Sequence, residues 1–236
     1  MTTIKTIEWT VGGDTFEGLL AMPDGEPKGA VLVCHAWAGR AEHEETVAKR
    51  LAGLGYAALA GDVYGKGVRG TSVEENQKLM NPLVEDRRGK LRERLRVSLD
   101  AFKAQDGVGD RVLAAGYCFG GLCVLDMARA NMAVAGSAAF HAILGEDGKP
   151  GEGDIAPKVL AMQGADDPMA TQDDRAAFAK EMTDRGADWQ LHTFGGVQHA
   201  FTNKGAHDHD LGTVYDEKAD ERSWRLFTDF LQETLA

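Results

Sequence analysis

Residues 112–121 read VLAAGYCFGG, and Leu122, Leu125 and Arg129 follow at helical spacing. Val112–Tyr117 is a short, continuous apolar run, the pattern of a strand buried on both faces. A strand that turns at once into a helix crowds its neighbours, so only side chains of negligible size fit beside the turn. Gly116-Tyr117-Cys118-Phe119-Gly120-Gly121 therefore has the form Gly-x-nucleophile-x-Gly, set between a strand and a helix, with Cys118 as the nucleophile. The turn lifts the Cys118 sulfur above the sheet edge, at the positive end of the helix dipole, which favours thiolate.

Outward from this turn the same alternation continues. Ala30–Cys34 (AVLVC) and Tyr56–Ala60 are apolar runs of strand length. Between them, from Glu42, Val47, Leu51 and Leu54 predict one helix face, and Gly55 is placed to stop it. Residues 65–90 are glycine-rich and then charged and carry no clear apolar stripe, so the next helix is placed at Leu91–Phe102. Ala133–Phe140, Val159–Gln163 and Trp189–Phe194 read as strands, the last of them the final strand. Asp173–Arg185 and Tyr215–Leu235 read as helices. At the front, Ile4–Thr10 and Thr15–Met22 alternate around Gly12-Gly13-Asp14, which predicts a hairpin. Strand–helix alternation implies a mostly parallel sheet of about eight strands with helices on both faces, an antiparallel hairpin added, and one domain over 1–236.

Composition narrows the function classes. The chain has 236 residues, 43% hydrophobic and 27% charged, close to the globular average. Its formal net charge of −11 argues against nucleic acid or an anionic membrane as partner. The uncharged run between Arg111 and Asp126 is broken by three glycines and is too short to span a bilayer. Three cysteines, Cys34, Cys118 and Cys123, with no targeting segment at the start, fit a reducing cytoplasm rather than a disulfide scaffold.

A cysteine nucleophile needs a base and an orienting acid, and in this strand order they follow it as acid, then histidine. Gly164-Ala165-Asp166-Asp167-Pro168 follows one predicted strand, and Gly195-Gly196-Val197-Gln198-His199-Ala200-Phe201 follows the last. Both lie where open α/β sheets bind ligands. Asp167 and His199 are the expected partners, with Asp166 the rival acid and His141 the reserve base.

VLVCHAWAG (31–39), LAGLGYAALAGDVYG (51–65), AAGYCFGG (114–121), MQGADDP (162–168) and GGVQHAF (195–201) together resemble the dienelactone hydrolase family of the α/β-hydrolase superfamily. The resemblance implies an α/β-hydrolase fold with Cys118 as nucleophile, His199 as base and Asp167 as orienting acid. It implies an oxyanion hole from the backbone N–H groups of Phe119 and Trp37, and no cofactor or metal. The sequence departs from the family at two places. A glutamate often follows the residue matching His35, where this chain has Ala36. Dienelactone-cleaving members place a carboxylate-binding arginine four residues after the catalytic histidine, where this chain has Asn203. A second family arginine has Arg69, Arg87 and Arg88 as candidates. A neutral ester or lactone therefore fits better than an anionic substrate, with His35, Ala36, His141, Asn203 and Arg69 as candidate pocket residues. A small phosphotriester is the second substrate class, since a nucleophile and a base do not choose carbon over phosphorus. A binding protein on the same fold is the non-enzyme alternative.

Two further motifs are set aside. Gly65-Lys66-Gly67-Val68-Arg69-Gly70 matches G-x-G-x-x-G but lacks the acidic residue of a dinucleotide site, and reads instead as part of a substrate rim. His207-Asp208-His209-Asp210 lacks the partner spacing of a metal site and reads as a solvated loop.

Overall fold

From residue 30 to residue 140 strands alternate with helical segments, as the apolar runs predict, whereas the described residues of 141–157 join two strands without a helix. The computed structural model describes residues 2–149, 151 and 153–235. The strands are β1 (Thr3–Val11), β2 (Asp14–Met22), β3 (Ala30–Cys34), β4 (Ala57–Ala60), β5 (Val112–Tyr117), β6 (Gly136–Phe140), β7 (Lys158–Gly164), β8 (Trp189–Phe194), β9 (His207–Asp208) and β10 (Thr213–Val214). The helices are α1 (Glu42–Gly53), α2 (Val73–Glu85), α3 (Arg92–Lys103), α4 (Phe119–Arg129), α5 (Gln172–Asp184) and α6 (Glu217–Leu235), and one π-helical turn spans Arg87–Leu91.

Eight strands form one sheet in the order β1-β2-β4-β3-β5-β6-β7-β8. β1–β2 and β2–β4 pair antiparallel, and every pair from β4–β3 to β7–β8 is parallel. β3 to β6 are buried along their whole length, as strands covered on both faces must be. One face packs on α1 and α6 through Val47, Leu51, Phe227 and Leu231. The other packs on α3, α4 and α5 through Leu95, Phe102, Leu122 and Phe178. α4 is buried all round, which explains why its sequence is apolar without a stripe. Among the described residues no helix is long and apolar enough to cross a membrane.

Three expectations change. α2 occupies a stretch read as carrying no stripe. It has a good N-cap, with Ser72 Oγ accepting from Glu75 N–H at 3.2 Å, but it buries only Asn76 and Leu83. Leu54 was placed on the inner face of α1, but it lies at the helix C-cap and is 40% exposed. β8 is not the last strand: residues 207–208 and 213–214 form a short antiparallel ladder.

The turn after β5 is sterically exact. A Cβ on Gly116 would stand 2.0 Å from the Gly120 carbonyl oxygen, and one on Gly120 would stand 2.2 Å from the Cys34 carbonyl oxygen. Both obstacles are backbone, so α4 could accept a methyl group only by moving off β3 and β5. Gly120→Ala should therefore cost about 3 kcal/mol or more, read as a fall in the urea midpoint. A fall below about 1 kcal/mol would show that α4 can slide and that this contact does not fix the turn.

Candidate active site

Cys118 sits in the turn between β5 and α4 at φ 54°, ψ −114°, a conformation that L side chains rarely adopt. Its N–H donates to the Phe140 carbonyl at 3.0 Å, and its carbonyl accepts from Leu122 N–H at 3.2 Å, so the strained turn is tied on both sides. Of the three free cysteines, Cys118 alone is partly exposed. Burial pushes the Cys34 thiol up to about 12, with the Glu44 charge adding to it, and burial pushes the Cys123 thiol up as well.

The turn after β7 brings in Asp167. It is buried; Oδ1 accepts from Met169 N–H and Oδ2 from His199 Nδ1, each at 2.8 Å. Asp166, the rival acid, is exposed, and its backbone N–H donates to the Val197 carbonyl at 2.9 Å, while the bond to His199 is made by Asp167. His199 N–H donates to the Gly212 carbonyl at 2.9 Å, and its carbonyl accepts from Val214 N–H at 2.9 Å. The β9–β10 ladder thus pins the backbone of His199. The histidine-aspartate tract has this structural part to play, and among the described residues no group of three His, Cys, Asp or Glu could hold a metal ion.

His199 Nε2 is buried and has no aligned hydrogen-bond partner in the resting geometry. Burial alone would strip its proton. The negative charge of neighbouring Cys118 and the bond to Asp167 outweigh burial and raise the imidazole from 6.5 to about 10. The folded protein favours the protonated ring, and the stability this contributes is lost as pH rises from 6.5 through about 10. His141 behaves oppositely. It is buried at φ 37°, with Nε2 2.8 Å from Thr202 Oγ1 and its ring 5.0 Å from that of His199. Burial, then the charges of His199 and His43, hold it well below the ordinary histidine value, so it stands neutral beside the pair.

These groups open on a cavity of about 390 Å³. Trp37, Met80, Ile143 and Met169 form apolar walls, while Val73 and Leu211, two of the few exposed large hydrophobics, stand at its edge. Among the described residues no lysine or arginine lines it. Ala36, His141 and Asn203, named as candidate pocket residues from the sequence, stand among the residues that line this cavity. Two expected residues do not. His35 is fully buried behind the 36–39 loop, because its ring is taken up by backbone bonds there, and Arg69 is exposed, its stem lying against Gly39 outside the cavity.

The loop after β3 supplies one backbone donor. Ala36 N–H donates to Glu44 Oε1 at 3.3 Å, and the Ala36 carbonyl accepts from His35 Nδ1 at 2.7 Å and Gly39 N–H at 3.1 Å. The Trp37 carbonyl accepts from the Tyr64 hydroxyl at 2.9 Å. Among the described residues, the N–H groups of Trp37 and Phe119 have no acceptor. Buried backbone donors are normally paired, so two orphans flanking one nucleophile are a ready seat for an oxygen bearing negative charge. Glu44 was not read from the sequence as a site residue. Its place three residues into α1, where it also accepts from Ala41 N–H at 3.0 Å, is the one local signal for it.

Comparison with known proteins places this geometry in context. The family model described as the dienelactone hydrolase family matches residues 16–235. A dienelactone hydrolase-like promiscuous phosphotriesterase from metagenomic libraries is 30% identical, with a TM-score of 0.91 over 99% of this chain and 98% of that one. A solved structure designated m3DLH is 33% identical, with a TM-score of 0.93 over 100% and 99% of the two chains. A relative from Aquifex aeolicus, named as a candidate carboxymethylenebutenolidase, is 27% identical over 98% of this chain and 99% of its own length.

Proposed function

The chain belongs to the dienelactone hydrolase family, and from that premise we propose that it hydrolyses neutral esters or lactones through Cys118, His199 and Asp167. The observation that carries this reading is the His199 ring bonded to Asp167 at 2.8 Å, its Nε2 left without a partner, with the partly exposed Cys118 lining the same cavity and acting on the ring electrostatically.

The Cys118 thiolate attacks the carbonyl carbon and forms the S–C bond, and the carbonyl π electrons move onto oxygen between the Trp37 and Phe119 N–H groups. Collapse expels the alkoxide, which takes the proton held on His199. The sulfur is then neutral in the thioester. The strongest influence holding the His199 proton is gone while burial remains, so the ring is left as a free base. It takes a proton from water, hydroxide adds to the thioester, and collapse returns thiolate and acid. Asp167 keeps the ring oriented throughout. With no lysine or arginine among the described lining residues, a substrate carboxylate would meet only His199, whose charge is already taken up by Cys118 and Asp167, which favours neutral substrates. The free thiols of all three cysteines fit a reducing cytoplasm as the place of work.

A phosphotriester is the second substrate class. The same cavity, with no lysine or arginine among its described lining residues, suits it, and the neighbour of 30% identity from metagenomic libraries is a promiscuous phosphotriesterase. The thiolate would attack phosphorus, and the phosphoryl oxygen would occupy the two N–H groups.

Rapid mixing with p-nitrophenyl acetate tests the reading. A burst of one p-nitrophenolate per chain is expected, with the acetyl group recovered on the Cys118 peptide after acid quench. Acetyl recovered elsewhere, or turnover with Cys118 unmodified throughout, would overturn it.

A further inference from the structure

We propose that His35 is the positioning residue of the oxyanion hole, holding the Ala36–Trp37 peptide so that the Trp37 N–H faces the oxygen that develops charge. This rests on the reading of Cys118 as nucleophile.

A peptide unit is planar, so fixing its carbonyl fixes the direction of its N–H. The Ala36 carbonyl can only accept, so His35 Nδ1 carries the proton at 2.7 Å. Val63 N–H points at His35 Nε2 at 3.2 Å, which requires a lone pair there. These two bonds assign a single tautomer to a fully buried ring. Asp62, buried beside it, accepts from the Tyr64 and Gly65 N–H groups and so holds the loop that carries Val63. The same loop presents the Tyr64 hydroxyl, which fixes the next carbonyl, that of Trp37. The His35 and Tyr64 rings meet edge to face at 4.7 Å, and Tyr64 stacks on Phe119 at 5.8 Å. Phe119 bears the second unpaired N–H. His35 and Tyr64 therefore bracket both donors from behind, and neither ring needs to touch substrate.

Loss of this bracket should slow steps that build negative charge on oxygen and spare those that do not. Acylation by p-nitrophenyl acetate builds an oxyanion; methylation of Cys118 by iodomethane does not. In His35→Leu, acylation should fall about 10²-fold, the typical worth of one such donor, with KM within a few-fold and the methylation rate unchanged. His35→Asn, whose amide can reach the Ala36 carbonyl, should recover much of the loss. Tyr64→Phe keeps the ring and removes one bond, so it carries the test if His35→Leu does not fold. It should lose several-fold in acylation and nothing in methylation. Equal losses in both reactions would assign His35 to the fold or to the thiolate, and wild-type acylation in Tyr64→Phe and His35→Leu would remove the bracket; either result overturns the proposal. Cys118→Ala run alongside separates the two levels. If it acylates like the wild type, the nucleophile assignment falls and this proposal with it. If it is inert while the His35 variants are fully active, only the bracket falls.

Discussion

Cys118→Ala should lose ester turnover by at least about 10³-fold, the scale on which removal of a covalent nucleophile acts when the rest of a site is left intact. The measurement is hydrolysis of p-nitrophenyl acetate and of a p-nitrophenyl dialkyl phosphate, side by side, with the wild type as reference. If the wild type prefers one substrate, the ratio assigns carbon or phosphorus. Cys118→Ser keeps the size and the strained turn but offers a hydroxyl that is not ionised near neutral pH, so it should recover little. The same variants carry a second readout that does not depend on any substrate. The charge on Cys118 is the strongest influence holding a proton on His199, whose pKa is raised to about 10. Without the sulfur, burial is opposed by Asp167 alone, and His199 should titrate below its wild-type value, as imidazole NMR would report. A variant with undiminished turnover would remove Cys118 from the mechanism. A His199 titration unmoved by the substitution would separate the two side chains, whatever the kinetics show.

Much of this site is legible in the sequence because it depends on local rules. Gly116 and Gly120 announce a turn in which a methyl group would strike backbone, and Asp167 and His199 each follow a segment of strand length. What escaped reading has a common physical origin. The apolar positions of α2 divide between two neighbours: Leu79, Leu83 and Val84 pack on the core, while Val73, Gln77, Met80 and Asn81 line the cavity, so no single stripe stands out in the sequence. Periodicity detects burial against protein and is blind to burial against substrate. His35 stands at a strand end, where side chains often reach the pocket, and only the positions of Val63 and Ala36 turn it backward. Glu44 reads as an ordinary helix-capping acid until the fold brings Ala36 to it. The β9–β10 ladder is two residues long on each side, too short for alternation to register, yet it holds the backbone of His199.

The largest effect on stability should come from Asp126→Ala, far from the nucleophile in role but on the same helix. Asp126 is buried on α4 and takes two bonds from Arg87, at 2.7 and 2.6 Å, and a longer contact from Arg129 at 3.4 Å. Arg129 is also held by Glu181 on α5 at 2.9 and 2.7 Å and by the Leu144 carbonyl at 2.6 Å. Removing Asp126 leaves Arg87 buried with the Gly145 carbonyl as its main partner. Breaking a buried pair from one side costs about 3–5 kcal/mol, because the remaining charge keeps its desolvation penalty and loses its compensation. The urea midpoint should fall accordingly with the slope unchanged. Arg87→Met in the Asp126→Ala background removes the stranded charge and should restore part of the loss, a non-additivity that no simple loss of packing would give. The consequence reaches the site through geometry. Arg87 opens the π-helical turn that follows α2, and α2 forms one wall of the cavity, so the pair ties that wall to the helix whose N-terminus carries Cys118. In the folded variant, KM for the ester should rise more than the rate of Cys118 alkylation falls. A midpoint shift worth less than about 1 kcal/mol would mean that water reaches Arg87 and solvates it, and a double variant no more stable than Asp126→Ala would mean that the charge itself is not what destabilises.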